Sequence, residues 1–176
     1  MRTGLRAAHI EDAANIAQLH NRWSLNNSME DVSRGFLLTS SSPDRIASIL
    51  SNVDTRAFIS ETEGVLQGYT IATKEIDHAQ LLEWELQPPS SGHLHVQELA
   101  VDPSYQGMGI GTSLYEFLRK VQNIRTLSAF IAVHPLKNRA SLDFHKKQGF
   151  RRAASFSSKE FYGLTNYKSE LWLQSP

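Results

Sequence analysis

The residues of this chain that could do chemistry gather around one glycine-rich stretch. His95, Gln97 and Glu98 stand within an apolar run (Leu94, Val96, Leu99, Val101). After Asp102-Pro103 comes Tyr105-Gln106-Gly107-Met108-Gly109-Ile110-Gly111-Thr112. Glycines at alternate positions remove Cβ atoms and admit positive φ, so successive N–H groups can converge on one point. Leu114, Phe117, Leu118 and Val121 then recur at helical spacing. The helix they predict begins with unpaired N–H donors and the positive end of its dipole, which suits an anion. The stretch reads as a seat for a pyrophosphate. It is Gly-x-Gly-x-Gly in the second half of the chain, not the Gly-x-Gly-x-x-Gly of a dinucleotide site, and no Lys-Ser/Thr follows to make a triphosphate loop.

The apolar run carries a second signal. Leu94 and Val96 share one face by alternation, whereas Leu99 and Val101 have the opposite parity, so the pattern slips by one residue near Gln97-Glu98. One extra residue repairs the register. A β-bulge is therefore predicted there, bending the strand and opening a slot beside it.

Gln106-Gly107-Met108-Gly109-Ile110-Gly111 resembles the Gln/Arg-x-x-Gly-x-Gly acyl-coenzyme A motif of the GCN5-related N-acetyltransferases (GNAT), and Leu99 to Pro103 resembles their Leu-Ala-Val-x-Pro strand end. Further on, Asn138 to Phe150 is similar to the family's Asn, helix, Phe-Tyr-x-x-x-Gly-Phe segment, in family order and separation. The clear motifs span about Leu94 to Phe156. The resemblance implies an α/β fold, a mixed and mostly antiparallel central sheet flanked by helices, with a bulged, splayed strand at the acyl-coenzyme A site. It implies acetyl-coenzyme A as cosubstrate and no metal. Leu99, Ala100 and Val101 are expected to pair with the pantetheine, and Gln106, Gly107, Met108, Gly109, Ile110, Gly111 and Thr112 to hold the pyrophosphate. Asn138, Ser141 and Phe144 complete the expected cofactor contacts.

Acetyl transfer to an amine sets its own requirements. An alkyl ammonium has a pKa of about 10, so it must lose a proton before attack. A base, donors for a developing oxyanion and an acid for the leaving thiolate are then needed, and no covalent intermediate. Glu98 and His95 are the candidate bases, and the bulge would let both face the slot. In the family a Tyr after the Phe of the last helix commonly serves as acid; here that position is His145. An imidazole acid would lower the pH optimum relative to a phenol.

Around this centre the rest of the chain must supply walls. A strand is predicted at Leu5 to Ala8, then a helix from Glu11 to Arg22 with Ile10, Ala13, Ala14, Ala17 and Leu19 as its apolar stripe. Residues 26 to 44 should be largely loop, and a second helix starts at Ser42-Pro43 with Ile46, Ile49 and Leu50 inward. In the family this region walls the acceptor site, so Trp23, Phe36 and Tyr105 are candidate aromatic contacts, with Gln97 beside them. Arg56 to Glu61 and Leu66 to Lys74 read as a hairpin around Thr62-Glu63-Gly64. Glu75 to Gly92 is long for a connection and carries Glu75, Asp77, Glu83 and Glu85 without Lys or Arg, an acidic lid for a cationic amine or a solvated loop. Leu127 to Val133 should lie beside Leu94 to Val101 and diverge at the bulge. Asn138 starts the last helix and Gly149 caps it. Phe150 to Phe156 and Tyr167 to Leu173 would be closing strands, linked by Ser157 to Asn166.

A chain of 176 residues with 40% hydrophobic content suits one domain, here residues 1–176 as a single N-acetyltransferase domain. Zero cysteines exclude a disulfide framework and a thiolate nucleophile. No stretch has the apolar length of a signal peptide or membrane span, so a cytoplasmic protein is expected. Net charge is zero but uneven: residues 1–100 hold 7 basic and 13 acidic side chains, residues 101–176 hold 11 and 5. The basic half, including Arg119, Lys120, Arg125, Lys137, Arg139, Lys146, Lys147, Arg151 and Arg152, would suit a polyanion such as coenzyme A or would simply face water. Nucleic acid and membrane partners are not expected. A small-molecule amine is the expected partner, and a homodimer is allowed. The alternatives are a protein N-terminal or lysine acetyltransferase, or a non-catalytic acyl-coenzyme A sensor.

Overall fold

The structure is a computed structural model that describes residues 4–25, 32–74, 81–89 and 91–174. Its strands are β1 (Gly4–Ala7), β2 (Thr55–Thr62), β3 (Val65–Thr73), β4 (His93–Val101), β5 (Thr126–His134), β6 (Arg151–Phe161) and β7 (Leu164–Gln174). They form one seven-stranded sheet in the order β1-β2-β3-β4-β5-β7-β6. Every neighbouring pair is antiparallel except β4 and β5. Helices α1 (Ala13–Arg22) and α2 (Pro43–Leu50) pack on one face, α3 (Ile110–Arg119) and α4 (Arg139–Lys147) on the other.

Each face has its own core. Ile16, Trp23, Ile46, Tyr69 and Ile71 cluster under α1 and α2, and Leu94, Val96, Tyr115, Leu118, Leu127 and Leu142 under α3 and α4. Leu94, Leu118 and Leu127 are essentially inaccessible, and burial of such side chains stabilises by about 1.5–3 kcal/mol each.

The register slip in β4 is a bulge. Ile71 pairs with Glu98 and the next residue, Ala72, pairs with Val96, leaving Gln97 as the extra residue. Leu94 and Val96 therefore lie in the α3/α4 core, whereas Ala100 lies in the α1/α2 core. Leu99, half-buried, returns to the first of these. The parallel pairing of β4 with β5 covers only His93–Val96 against Thr126–Ala129. Beyond Val96 and Ala129 the two strands part.

Three expectations need correction. The first helix opens with a 3-10 turn over Ile10–Asp12, which leaves Ile10 and Ala14 exposed; the buried stripe is Ala13, Ile16, Ala17, Leu19 and His20. The closing strands are far longer than predicted, because Tyr162 (φ 48°) and Gly163 (φ 77°) make a tight reversal of the mirror-image type that matches strand twist. The polar residues from Ser157 onward are strand, not linker. Of the expected acidic lid, Glu75 and Asp77 lie outside the described residues. Glu83 and Glu85 are committed to Arg152 of β6, with Glu83 at 3.0 Å and also accepting from the Ser155 hydroxyl at 2.9 Å.

Candidate active site

The glycine turn is shaped by three different demands. Asp102 accepts from the Ser104 N–H at 2.9 Å and starts a 3-10 turn over Pro103–Tyr105. Gly107 (φ 79°) and Gly109 (φ 82°) adopt the left-handed conformation, and a Cβ at either would meet nothing within 4 Å. The space in front of them is open, as a close backbone approach by a ligand requires. Gly109 is the N-cap of α3, so the first N–H groups of that helix face the same space. Gly111 serves packing: a Cβ there would stand 3.3 Å from the Phe144 ring.

A cavity of about 560 Å³ runs from this turn along β4 into the gap between β4 and β5. Leu99, Ala100, Val101, Gln106, Gly107, Gly109, Ile110, Gly111, Thr112, Asn138, Ser141, Phe144 and His145 all line it. Met108 does not; its side chain is 69% exposed. Trp23, expected as an acceptor contact, lines this cavity too, its indole N–H donating to the Val101 carbonyl at 3.0 Å. Tyr105 also lies on this wall.

Among the described residues, none of the nine basic side chains singled out in the second half of the chain lines the cavity; Arg34 does. Arg34 Nε donates to Gln106 Oε1 at 2.8 Å and Nη2 to the Pro103 carbonyl at 2.9 Å, which sets a guanidinium over the turn. It comes from the loop before α2, and nothing in its local sequence pattern marks it.

A second cavity of about 410 Å³ lies on the other side of the parted strands. Phe36, Leu37, Gln97, Glu98, Phe130 and Asn138 line both, so the two spaces meet at the bulge. His95 faces the second cavity, its Nδ1 2.8 Å from the Ser128 hydroxyl, which His93 Nε2 shares at 2.8 Å. The His95 ring packs edge-on against Phe130.

Glu98 is held by residues that sequence reasoning missed. The Tyr69 hydroxyl donates to Glu98 Oε2 at 3.0 Å, His20 Nδ1 lies 3.0 Å from the same oxygen, and Arg45 stands 3.8 Å from Oε1. His20 Nε2 donates to the Thr39 carbonyl at 2.7 Å. Because a carbonyl only accepts, His20 Nε2 carries a proton in that contact. Burial would raise the Glu98 carboxyl, but the hydrogen bond and charge of His20, the Tyr69 hydroxyl and Arg45 outweigh it and hold the group below the usual carboxylate range. His20 was legible only as part of a helical stripe that begins one turn later than the sequence suggested.

His145 is buried beside the first cavity. Its Nδ1 donates to the Ser141 carbonyl at 2.7 Å, so Nε2 is an acceptor and takes the Tyr115 hydroxyl at 2.8 Å. Burial pulls the imidazole down to about 4 against a partial opposing effect of the Ser141 bond, and burial pushes the Tyr115 phenol well up. Near neutral pH this pair is a neutral imidazole and a neutral phenol, and the proton between them belongs to Tyr115. Asn138 caps α4 by accepting from the Ser141 N–H at 3.1 Å and ties that helix to the Phe36 carbonyl at 3.0 Å.

The residues fit an acyl-coenzyme A: an open anion cradle, an unzipped strand edge for an amide-bearing arm, and a junction with a second cavity where the arm would end. Among the described residues no three His, Cys, Asp or Glu side chains are grouped to hold a metal, and no helix is long and apolar enough to cross a membrane.

Known proteins agree. The model of the acetyltransferase (GNAT) family matches residues 22–150. No curated protein matches. Among solved structures, an N-acetyltransferase from Staphylococcus aureus Mu50 superposes with TM-score 0.72 at 18% identity, covering 99% of each chain. Arabidopsis thaliana NAA60 in complex with acetyl-CoA gives 0.71 at 14%, covering 99% of this chain and 98% of that one. The putative acetyltransferase yncA from Salmonella typhimurium, with its cofactor acetyl-CoA, gives 0.67 at 19%, covering 98% and 93%. With its glycine cradle, bulged strand and family match, the chain belongs to the GNAT acetyltransferases and is an acetyl-coenzyme A-dependent acyltransferase.

Proposed function

We propose that this chain, acting as one N-acetyltransferase domain, moves the acetyl group of acetyl-coenzyme A to the primary amine of a small molecule by direct attack. The observation that carries the reading is the second cavity: a concave space of about 410 Å³ that opens onto the first at Gln97 and Glu98. Acetyl-coenzyme A supplies an activated acetyl thioester; positioning and proton handling fall to the chain.

The N–H groups from Gln106 to Thr112, with Arg34 above them, hold the pyrophosphate. Leu99, Ala100 and Val101 line the pantetheine path, and Asn138, Ser141 and Phe144 wall its far side. Glu98, kept ionised by His20, Tyr69 and Arg45, receives the acceptor as an ammonium. His95, an imidazole on the same cavity, takes the proton that frees the nitrogen lone pair. The nitrogen bonds to the acetyl carbon, the carbon–sulfur bond breaks, and the second proton that the nitrogen sheds as it becomes an amide balances the one the thiolate takes, leaving the single proton on His95 to pass to solvent. His145 and Tyr115, hydrogen-bonded to each other, line the first cavity on the thiol side and fix the shape of that wall. Holding two reactants in line at the junction supplies much of the acceleration.

The test is release of free thiol from acetyl-coenzyme A against a panel of small amines and a peptide with a free N-terminus. Turnover on at least one small amine is expected. Turnover on the peptide alone would transfer the reading to protein acetylation, and binding without turnover on anything would leave a sensor.

A further inference from the structure

The second cavity has a polar end and an apolar body, and its composition goes further than its shape. Glu98 supplies its one carboxylate, and among the described residues lining it there is no lysine or arginine. The opposite walls are rings: Phe36, Phe130, Phe156, Phe161 and Tyr167. They come from the loop before α2, β5, β6 and β7, and the three on β6 and β7 are locked to one another. Phe156 and Phe161 meet edge-on with centroids 5.2 Å apart, and Phe161 stacks on Tyr167 at 4.7 Å with an interplanar angle of 23°. Phe36 and Tyr167 are nearly inaccessible.

Such a site selects by what it lacks. An acceptor with a carboxylate or phosphate of its own would bury that anion beside Glu98, with no lysine or arginine among the described walls to meet it and with the His20 ring already committed to Glu98. One with a second ammonium would bury a cation against rings after Glu98 is spent on the first. An unpaired buried charge is costly, whereas apolar area placed on rings is favourable. The volume is near the lower end of about 300–1,000 Å³ seen for ligand pockets, so the body is compact.

Resting on the small-amine reading above, we propose that the acceptor is a primary amine on a compact aromatic or branched apolar body with no second charged group, its ammonium on Glu98 and its body against Phe130, Phe156 and Phe161.

The experiment compares three probes at saturating acetyl-coenzyme A: 2-phenylethylamine, L-phenylalanine, which adds a carboxylate to the same body, and 1,4-diaminobutane, which replaces the ring by a second amine. The expected result is a kcat/KM for 2-phenylethylamine above both others by a factor on the order of tenfold or more. Phe161→Ala, on the half-exposed end of β6, is expected to raise the KM for 2-phenylethylamine by roughly tenfold, while calorimetric affinity for acetyl-coenzyme A stays within twofold of about the parent value. Preferred turnover of phenylalanine or the diamine would overturn the inference and leave the small-amine reading standing. So would a Phe161→Ala enzyme as active as the parent on 2-phenylethylamine. Acetyl-coenzyme A binding with no turnover on any of the three would overturn the inference, and the small-amine reading falls with it if the wider amine panel is also inert.

Discussion

The two cavities that meet at Gln97 and Glu98 are made of different material. The one that runs to the glycine turn presents mostly backbone: N–H groups at Gly107, Gly109 and the first turn of α3, and an unpaired strand edge beyond Val96. The other presents side chains drawn from four or more elements, with a carboxylate fixed by His20, Tyr69 and Arg45 and a set of interlocked rings. Backbone recognition tolerates almost any side chain but is intolerant at the glycines. Side-chain recognition reverses this, since each wall residue can be changed and the specificity changes with it. On the proposed function, a cosubstrate common to many enzymes would be held by the first kind of surface and an acceptor particular to one enzyme by the second.

Substitutions should therefore separate cleanly by cavity. The largest effect is expected from Gly109→Asp, which places a carboxylate on the anion cradle at a left-handed φ costing a side chain roughly 1–2 kcal/mol. Acetyl-coenzyme A affinity by calorimetry should fall by more than about 300-fold, beyond the roughly tenfold loss that strain alone gives Gly109→Ala. An unchanged affinity would remove the pyrophosphate from this turn.

Next comes Glu98→Gln. Loss of the charge-assisted contact is expected to lower kcat/KM for the amine by about 100-fold, while acetyl-coenzyme A binds as before. Equal losses in both would mean that the cavities are not separable.

His145 gives a stability test. Its folded-state value is depressed from 6.5 to about 4, so the stability it contributes is fully present above pH 6.5 and is lost as the pH falls toward 4. Between pH 7 and pH 5 the loss is about 2 kcal/mol by linkage, readable as a shift in urea midpoint. His145→Gln should flatten that dependence whatever its effect at pH 7; an unchanged slope would mean that the imidazole is not held neutral by burial.

The smallest effect belongs to Arg34→Gln. An exposed guanidinium is worth little, so the KM for acetyl-coenzyme A should rise by about threefold with no change toward the amine.

What the sequence disclosed follows the same division. The backbone surface was legible because its requirements are local: alternating glycines, an Asn cap at Asn138, and the slipped parity of Leu94, Val96, Leu99 and Val101, which resolved into an extra residue at Gln97. The side-chain surface was only partly legible. Glu98 and His95 could be named from their positions beside a motif, and Phe36 from the family resemblance of the region between the first two helices. His20, Tyr69 and Arg34 could not, because their roles exist only once α1, β3 and the loop before α2 are brought against β4 and its following turn. The full length of the β6–β7 hairpin is hidden for a related reason: its alternation runs through polar residues, and Tyr162-Gly163 is a turn that Tyr does not advertise.

The most direct measurement is a crystal structure with acetyl-coenzyme A bound. The account predicts the pyrophosphate against the N–H groups of Gln106 to Thr112 and the acetyl group in the gap beyond Val96 and Ala129, next to Gln97 and Glu98. A pyrophosphate seated elsewhere, or β4 and β5 closed along their length with the acetyl group outside the gap, would contradict it.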